Sequence, residues 1–173
     1  MRRRPIRRGW VSNVGMTRAS LILLLVLTGG CTRSVDITKA LAITDVRTGW
    51  YDAGRINGQN KLVPSIALKL HNGDSGSVAG VQLNAIFHRV GEEDGWGEHY
   101  VQAIDRSGLA SGADTAEIVM RSNLGYTGTQ SRLQMLQNAQ FVDARVDIFG
   151  KQGRGGWIKL GEYPIDRQLL TQQ

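Results

Sequence analysis

The sequence predicts an all-β domain, a sandwich of about seven short strands with one short helix crossing between its sheets. Three observations carry that expectation. Beyond residue 41 apolar side chains recur mostly with a period of two, clusters of Gly, Asn and Asp punctuate them, and a single segment switches to a helical period.

In chain order, a weak strand is expected over Leu41–Arg47. Leu62, Ile66, Leu68 and Leu70 mark a second, with Pro64 near its start. Proline cannot donate to a ladder, so this end is expected at an edge or bulge. Val81, Leu83, Ala85 and Phe87 alternate with Gln82, Asn84 and His88 to give a third, and Tyr100–Ile104 is a weaker fourth. Ala116, Ile118 and Met120 repeat the pattern. Val142, Ala144, Val146 and Ile148 alternate with Asp143, Arg145 and Asp147, predicting an apolar inner face and a charged outer face in water. Ile158 and Leu160 close the series. Turns fall at Asn72–Gly76, Asp94-Gly95, Ser111–Asp114 and Gly153–Gly156, residue types that tolerate the positive φ of tight hairpins. The exception is Ser131–Asn138, where Leu133 and Leu136 are three apart and Gln134 follows Ser131 by three. That is a capping-box start, predicting a helix of about two turns.

Charge and the amino-terminal segment separate cleanly from this domain. The net charge is +6 at pH 7, but six of the 21 basic residues are arginines within residues 1–30, which hold no acid. The rest carries 15 basic and 15 acidic side chains, without the cationic excess that a phosphate backbone requires. Nucleic acid is therefore not an expected partner. Arg18, the run Leu21–Leu27 and the small residues Thr28-Gly29-Gly30 make the three parts of a secretory signal, too short to span a bilayer. Cys31, the single cysteine, follows at once, and Leu27-Thr28-Gly29-Gly30-Cys31 resembles the lipobox of bacterial lipoproteins, with Thr28 where Leu is usual. The resemblance implies cleavage before Cys31, diacylglycerol on its sulfur and an acyl chain on the new amino terminus, enough lipid for stable anchoring. Met16 is the expected true start. Residues 1–30 are thus read as signal peptide, 31–40 as a lipidated tether and 41–173 as the sandwich. Fully extended, the nine tether residues after the lipid reach about 30 Å. Thr32, in place of Asp after the cysteine, implies the periplasmic face of the outer membrane if the host is Gram-negative.

Leu68-Lys69-Leu70-His71-Asn72, Val78, Val81–Phe87 and the Leu109-Ala110-Ser111-Gly112 turn resemble the core of FxLYD-like and other immunoglobulin-like envelope domains. His88-Arg89-Val90 stands where the name-giving Leu-Tyr-Asp would be. The resemblance implies an immunoglobulin-like sandwich and a binding or assembly role more than catalysis.

Four constellations could carry chemistry. Gly73-Asp74-Ser75-Gly76 resembles a serine-protease nucleophile loop, but these residues are also those a hairpin turn wants. The acidic stretch Glu92–His99 lacks EF-hand spacing and reads as a solvated tip, with Trp96 an exposed anchor among charges. His71, His88 and His99 show no metal-ligand spacing, so no metal is expected, and no phosphate or dinucleotide motif implies a cofactor. Trp50-Tyr51 and Trp157 complete the large aromatics, at least one of them expected in the core. The expectation is a non-enzymatic, lipid-anchored sandwich that binds an envelope protein through its loops, with Trp96, Trp50, Tyr51 and Trp157 as candidate surface. A small-ligand or carbohydrate-binding lipoprotein is the second reading, and a hydrolase a remote third.

Overall fold

The structure, a computed structural model, describes residues 35–170, so the signal peptide and Cys31 lie outside the described residues. Strands β1 (Leu41–Ile56), β2 (Gln59–Asn72), β5 (Ile118–Arg121), β6 (Tyr126–Gly128) and β9 (Leu169–Leu170) form one sheet. Strands β3 (Val81–Arg89), β4 (Gly97–Ile104), β7 (Ala144–Gln152) and β8 (Ile158–Ile165) form the other. Their orders are β5-β2-β1-β9, with β6 beside β2, and β4-β3-β7-β8. All pairings between these strands are antiparallel except that of β1 with β9. The chain runs up and down β1–β2, crosses to β3–β4, returns to β5 beside β2, and crosses again to β7 beside β3. That is the Greek-key path of immunoglobulin-like sandwiches.

Alternation places the core. Leu62, Ile66, Leu68, Leu70 and Met120 of the first sheet are fully buried, as are Val81, Leu83, Ala85, Phe87, Val146 and Ile148 of the second. The expected helix is α2 (Arg132–Gln137): Ser131 caps it with the reciprocal Gln134 contact, and Met135 and Leu136 are its buried side chains.

Four local expectations change. Pro64 lies mid-strand in β2, between β1 and the β5/β6 side, and is neither on an edge nor at a bulge. Its carbonyl accepts from Ser122 N at 2.9 Å, so its nitrogen points the same way, into the break between β5 and β6 where no ladder donor is needed. β1 is also far longer than Leu41–Arg47. A bulge at Asp45 (φ 51°) and another before Arg55 bend it, and it continues through Trp50-Tyr51 to a hairpin at Asn57-Gly58.

The tether shortens too. Ile37–Ala40 form a one-turn helix, α1, capped by Asp36, with Ile37 and Ala40 buried in the core. Val35 N donates to Gln152 Oε1 at 2.8 Å, and Gly73 N to Ala40 O at 2.9 Å, so residues 35–40 belong to the sandwich.

The outer face of β7 is not simply in water. Asp147 is only 8% exposed, held by Lys159 at 3.0 Å and Arg145 at 3.2 Å, while Val142 lies outside the strand and is exposed. The 89–96 loop folds over this face: Glu93 O meets His88 Nδ1 at 3.1 Å, and Gly95 packs on Ile86. His88 is buried with it, its Nε2 3.6 Å from Asp147 and beyond hydrogen-bond reach.

Candidate functional site

The four candidate aromatics go to three different places. Trp50 is on the inward side of β1 and fully buried, so it offers no surface. Its ring centroid lies 4.6 Å from Phe141, 5.7 Å from Tyr126 and 6.3 Å from Trp96. Trp96 therefore does have a core to enter. It is half-buried, 4.9 Å from Tyr126, with the Arg89 guanidinium 5.8 Å from its centroid. The flanking glycines seat it: a Cβ on Gly97 would come within 2.9 Å of Asn123 Oδ1 and closer still to Ser122. Glu92 pairs with Arg89 at 2.7 Å, but the Glu93 side chain is fully exposed and residues 91–95 all face solvent, so the acidic tip itself is solvated as expected. Partial burial pushes the half-buried Tyr126 phenol above its ordinary pKa.

Trp157 and Tyr51 do reach the two outer faces. Trp157 folds from the β7–β8 turn over the second sheet, 40% exposed, with its centroid 5.9 Å from Tyr100. Lys151 Nζ is 4.7 Å from the Trp157 centroid, within cation–π range. Tyr100 is 57% exposed, so two large aromatic side chains share one open face. The neighbouring Glu98 carboxylate holds the Tyr100 phenol above its ordinary pKa. Tyr100 is paired with Asn84, which is paired in turn with Phe149, so the strands fix the spacing of this patch. Beside it, Gln82, Gln102, Asp105 and Arg106 line a shallow hollow of about 390 Å³.

Tyr51 lies in a trough of about 660 Å³ on the outer face of the first sheet. Ser65 and Ala67 of β2 make its buried floor. Glu117, Val119 and Arg121 form one wall, and Tyr163 to Leu170 the other. β9 can lie so close only because residue 49 is glycine: a Cβ there would come within 2.9 Å of the Leu170 side chain. Arg121 reaches across the floor to place its guanidinium 3.7 Å from the Tyr51 centroid, closing one end. Arg47 and Glu117 pair at the other end. Sequence reasoning singled out Tyr51 but none of its companions, which come from four separated segments.

The remaining constellations resolve into structure. In the Gly73–Gly76 segment, Asn72 Oδ1 accepts from Asp74 N at 3.0 Å, and Asn72 Nδ2 donates to the carbonyls of Gly76 and Leu109. His71 pairs with Asp114 at 2.8 Å, and no hydrogen bond joins Ser75 to either of them among the described residues. His99 Nδ1 lies 3.0 Å from the Arg121 carbonyl. Among the described residues no cluster of His, Cys, Asp or Glu has metal-binding geometry, and no helix is long and apolar enough to cross a membrane.

No family model and no curated protein matches the chain in sequence. In structure it is similar to an X-ray structure of a Northeast Structural Genomics Consortium target, at 8% identity and a TM-score of 0.39. That alignment covers 75% of this chain and 88% of the target.

Proposed function

We propose that the chain is a bacterial envelope lipoprotein, anchored through lipid on Cys31, whose sandwich is a non-enzymatic module that binds another envelope protein. The observation that carries this reading is the pair of Tyr100 and Trp157, with Lys151 against the indole, exposed together on the outer face of the second sheet. Trp and Tyr are the side chains that most often anchor protein interfaces, because they bury much area at little entropic cost. The acyl anchor is supported by the apolar run and Cys31 of the sequence. The outward face of the sheet thereby replaces the loop tips as the proposed contact.

The test is affinity purification of the tagged lipoprotein from membranes, with melting curves on the same variants. Trp157→Ala with Tyr100→Ala should abolish capture of a specific envelope protein while shifting Tm little, since neither side chain enters the core. Trp96→Ala should do the reverse, lowering Tm through lost packing. A large fall in Tm for the Trp157/Tyr100 variant, or undiminished capture, would sink the reading. The amide-lined hollow beside the patch favours saccharide binding as a second reading, since planar amides and an aromatic stacking surface suit a sugar ring. Glycan-array binding by the wild type that is lost with Trp157 would select it.

A further inference from the structure

We infer that the trough on the outer face of the β5-β2-β1-β9 sheet is a second, separate site, one that takes a small monocarboxylate with an apolar body. Its volume of about 660 Å³ suits a small molecule, and sites of this kind typically fall at roughly 300–1,000 Å³. The floor offers shape more than polarity: Ala67 is a methyl group, and the Ser65 hydroxyl is spent on Met120 O at 3.2 Å. Val119 on one wall and Leu170 on the other supply apolar flanks. Recognition of charge falls to the rim.

The rim groups are unequally engaged. Arg47 is neutralised by Glu117. Arg121 has no carboxylate within ion-pair distance among the described residues. Stacking on Tyr51 fixes the plane of the Arg121 guanidinium, and a stacked guanidinium keeps its edge N–H groups free to donate side by side to a carboxylate. Asp166 lines the facing wall, its carboxylate 3.4 Å from Gln168 Nε2 and in no ion pair among the described residues. It disfavours a second negative charge on the ligand. With Arg47 balanced by Glu117, and Asp166 facing Arg121, the lining leaves a single guanidinium to meet one carboxylate and no surplus positive charge to hold a phosphate dianion. Tyr51 and Arg47 are four residues apart on one strand, so the closed ends stand about 13 Å apart, the reach of a short, compact acid.

The experiment titrates the full-length protein in detergent with phenylacetate, isovalerate and the primary amide of each, using calorimetry and amide chemical-shift mapping. Both acids should bind saturably, shifting Ser65, Ala67 and Val119, and each amide should bind about tenfold more weakly. Arg121→Gln should bring each acid down to its amide. Arg121→Lys, which keeps the charge but not the stacked fork, should keep a reduced preference for the acid. Arg154→Gln, at an exposed arginine outside the trough, should change nothing. Equal binding of acid and amide, shifts centred elsewhere, no saturation at millimolar concentration, or an acid preference that survives Arg121→Gln would overturn the inference.

Discussion

Asn72 is completely buried and spends its amide three times, donating to Gly76 O and Leu109 O and accepting from Asp74 N. One side chain thus ties the end of β2 to the turn that follows it and to the Leu109 turn, which is remote in sequence. Asn72→Ala takes the side-chain partner from Gly76 O and Asp74 N, whereas Leu109 O keeps Val78 N, so denaturant melts should lose roughly 1–3 kcal/mol. Val146 is equally decisive for the opposite reason: it has no polar neighbour to receive a charge. Val146→Asp should cost several kcal/mol. Arg145→Asp, on the other face, would look harmless if that face were simply solvated. Because Asp147 beneath it is nearly buried, the substitution sets two carboxylates together. Its cost should be roughly 1–3 kcal/mol, short of the ~3–5 for breaking a fully buried pair. A chemical-denaturation series on the three variants checks the ranking, and a neutral Arg145→Asp would contradict the account of Asp147.

At the scale of elements, α1 shows how little helix is needed to matter. Thr38 donates from both its hydroxyl and its backbone N–H to the Asp36 carboxylate, which holds that carboxyl below its ordinary pKa. A depressed carboxylate contributes stability that is complete above its unfolded value, about 3.9, and lost as pH falls through the lower folded value. Asp36→Asn keeps a capping oxygen without the titration. Its melting temperature should follow the wild type near neutral pH and fall less steeply than the wild type below about pH 4. A steeper fall would mean that Asp36 is not the titrating cap. These elements were unequally legible in the sequence. Strands with unbroken alternation, β3 above all, and the α2 capping box could be read directly, because period and cap are local properties. β1 could not be followed past Asp45, because its bulge shifts the period by one residue. Asn57-Gly58, the two-residue turn at its far end, is the signal that would have recovered it. α1 is a single turn, too short for a period to repeat, so Ile37 looked like a stray apolar residue in a tether. Trp96 looked solvated because its acidic neighbours are visible in sequence, whereas Tyr126, Trp50 and Phe141 meet it only through the fold.

For the whole molecule, the trough is the clearest product of topology, since residues 47–51, 65–67, 117–121 and 163–170 converge only when the Greek key closes. No periodicity within one segment could announce it. The sandwich also closes without a disulfide, its single cysteine being Cys31, so the packed inner faces and links such as that of Val35 to Gln152 hold its ends. That last link sets a mechanical limit on the lipidated chain proposed above. Val35 is already fastened to β7, so the leash from Cys31 to the domain is only four residues long (35 − 31), at most about 14 Å when taut. The folded body is then moored against the headgroups and cannot swing into the space beyond. Neutron reflectometry on supported bilayers should find the protein layer beginning within about 14 Å of the lipid, whereas a layer beginning near 30 Å would show the mooring released. A partner embedded in the same membrane, or lying on it, is within this domain's working radius, and one tethered to a distant layer has to make the crossing itself.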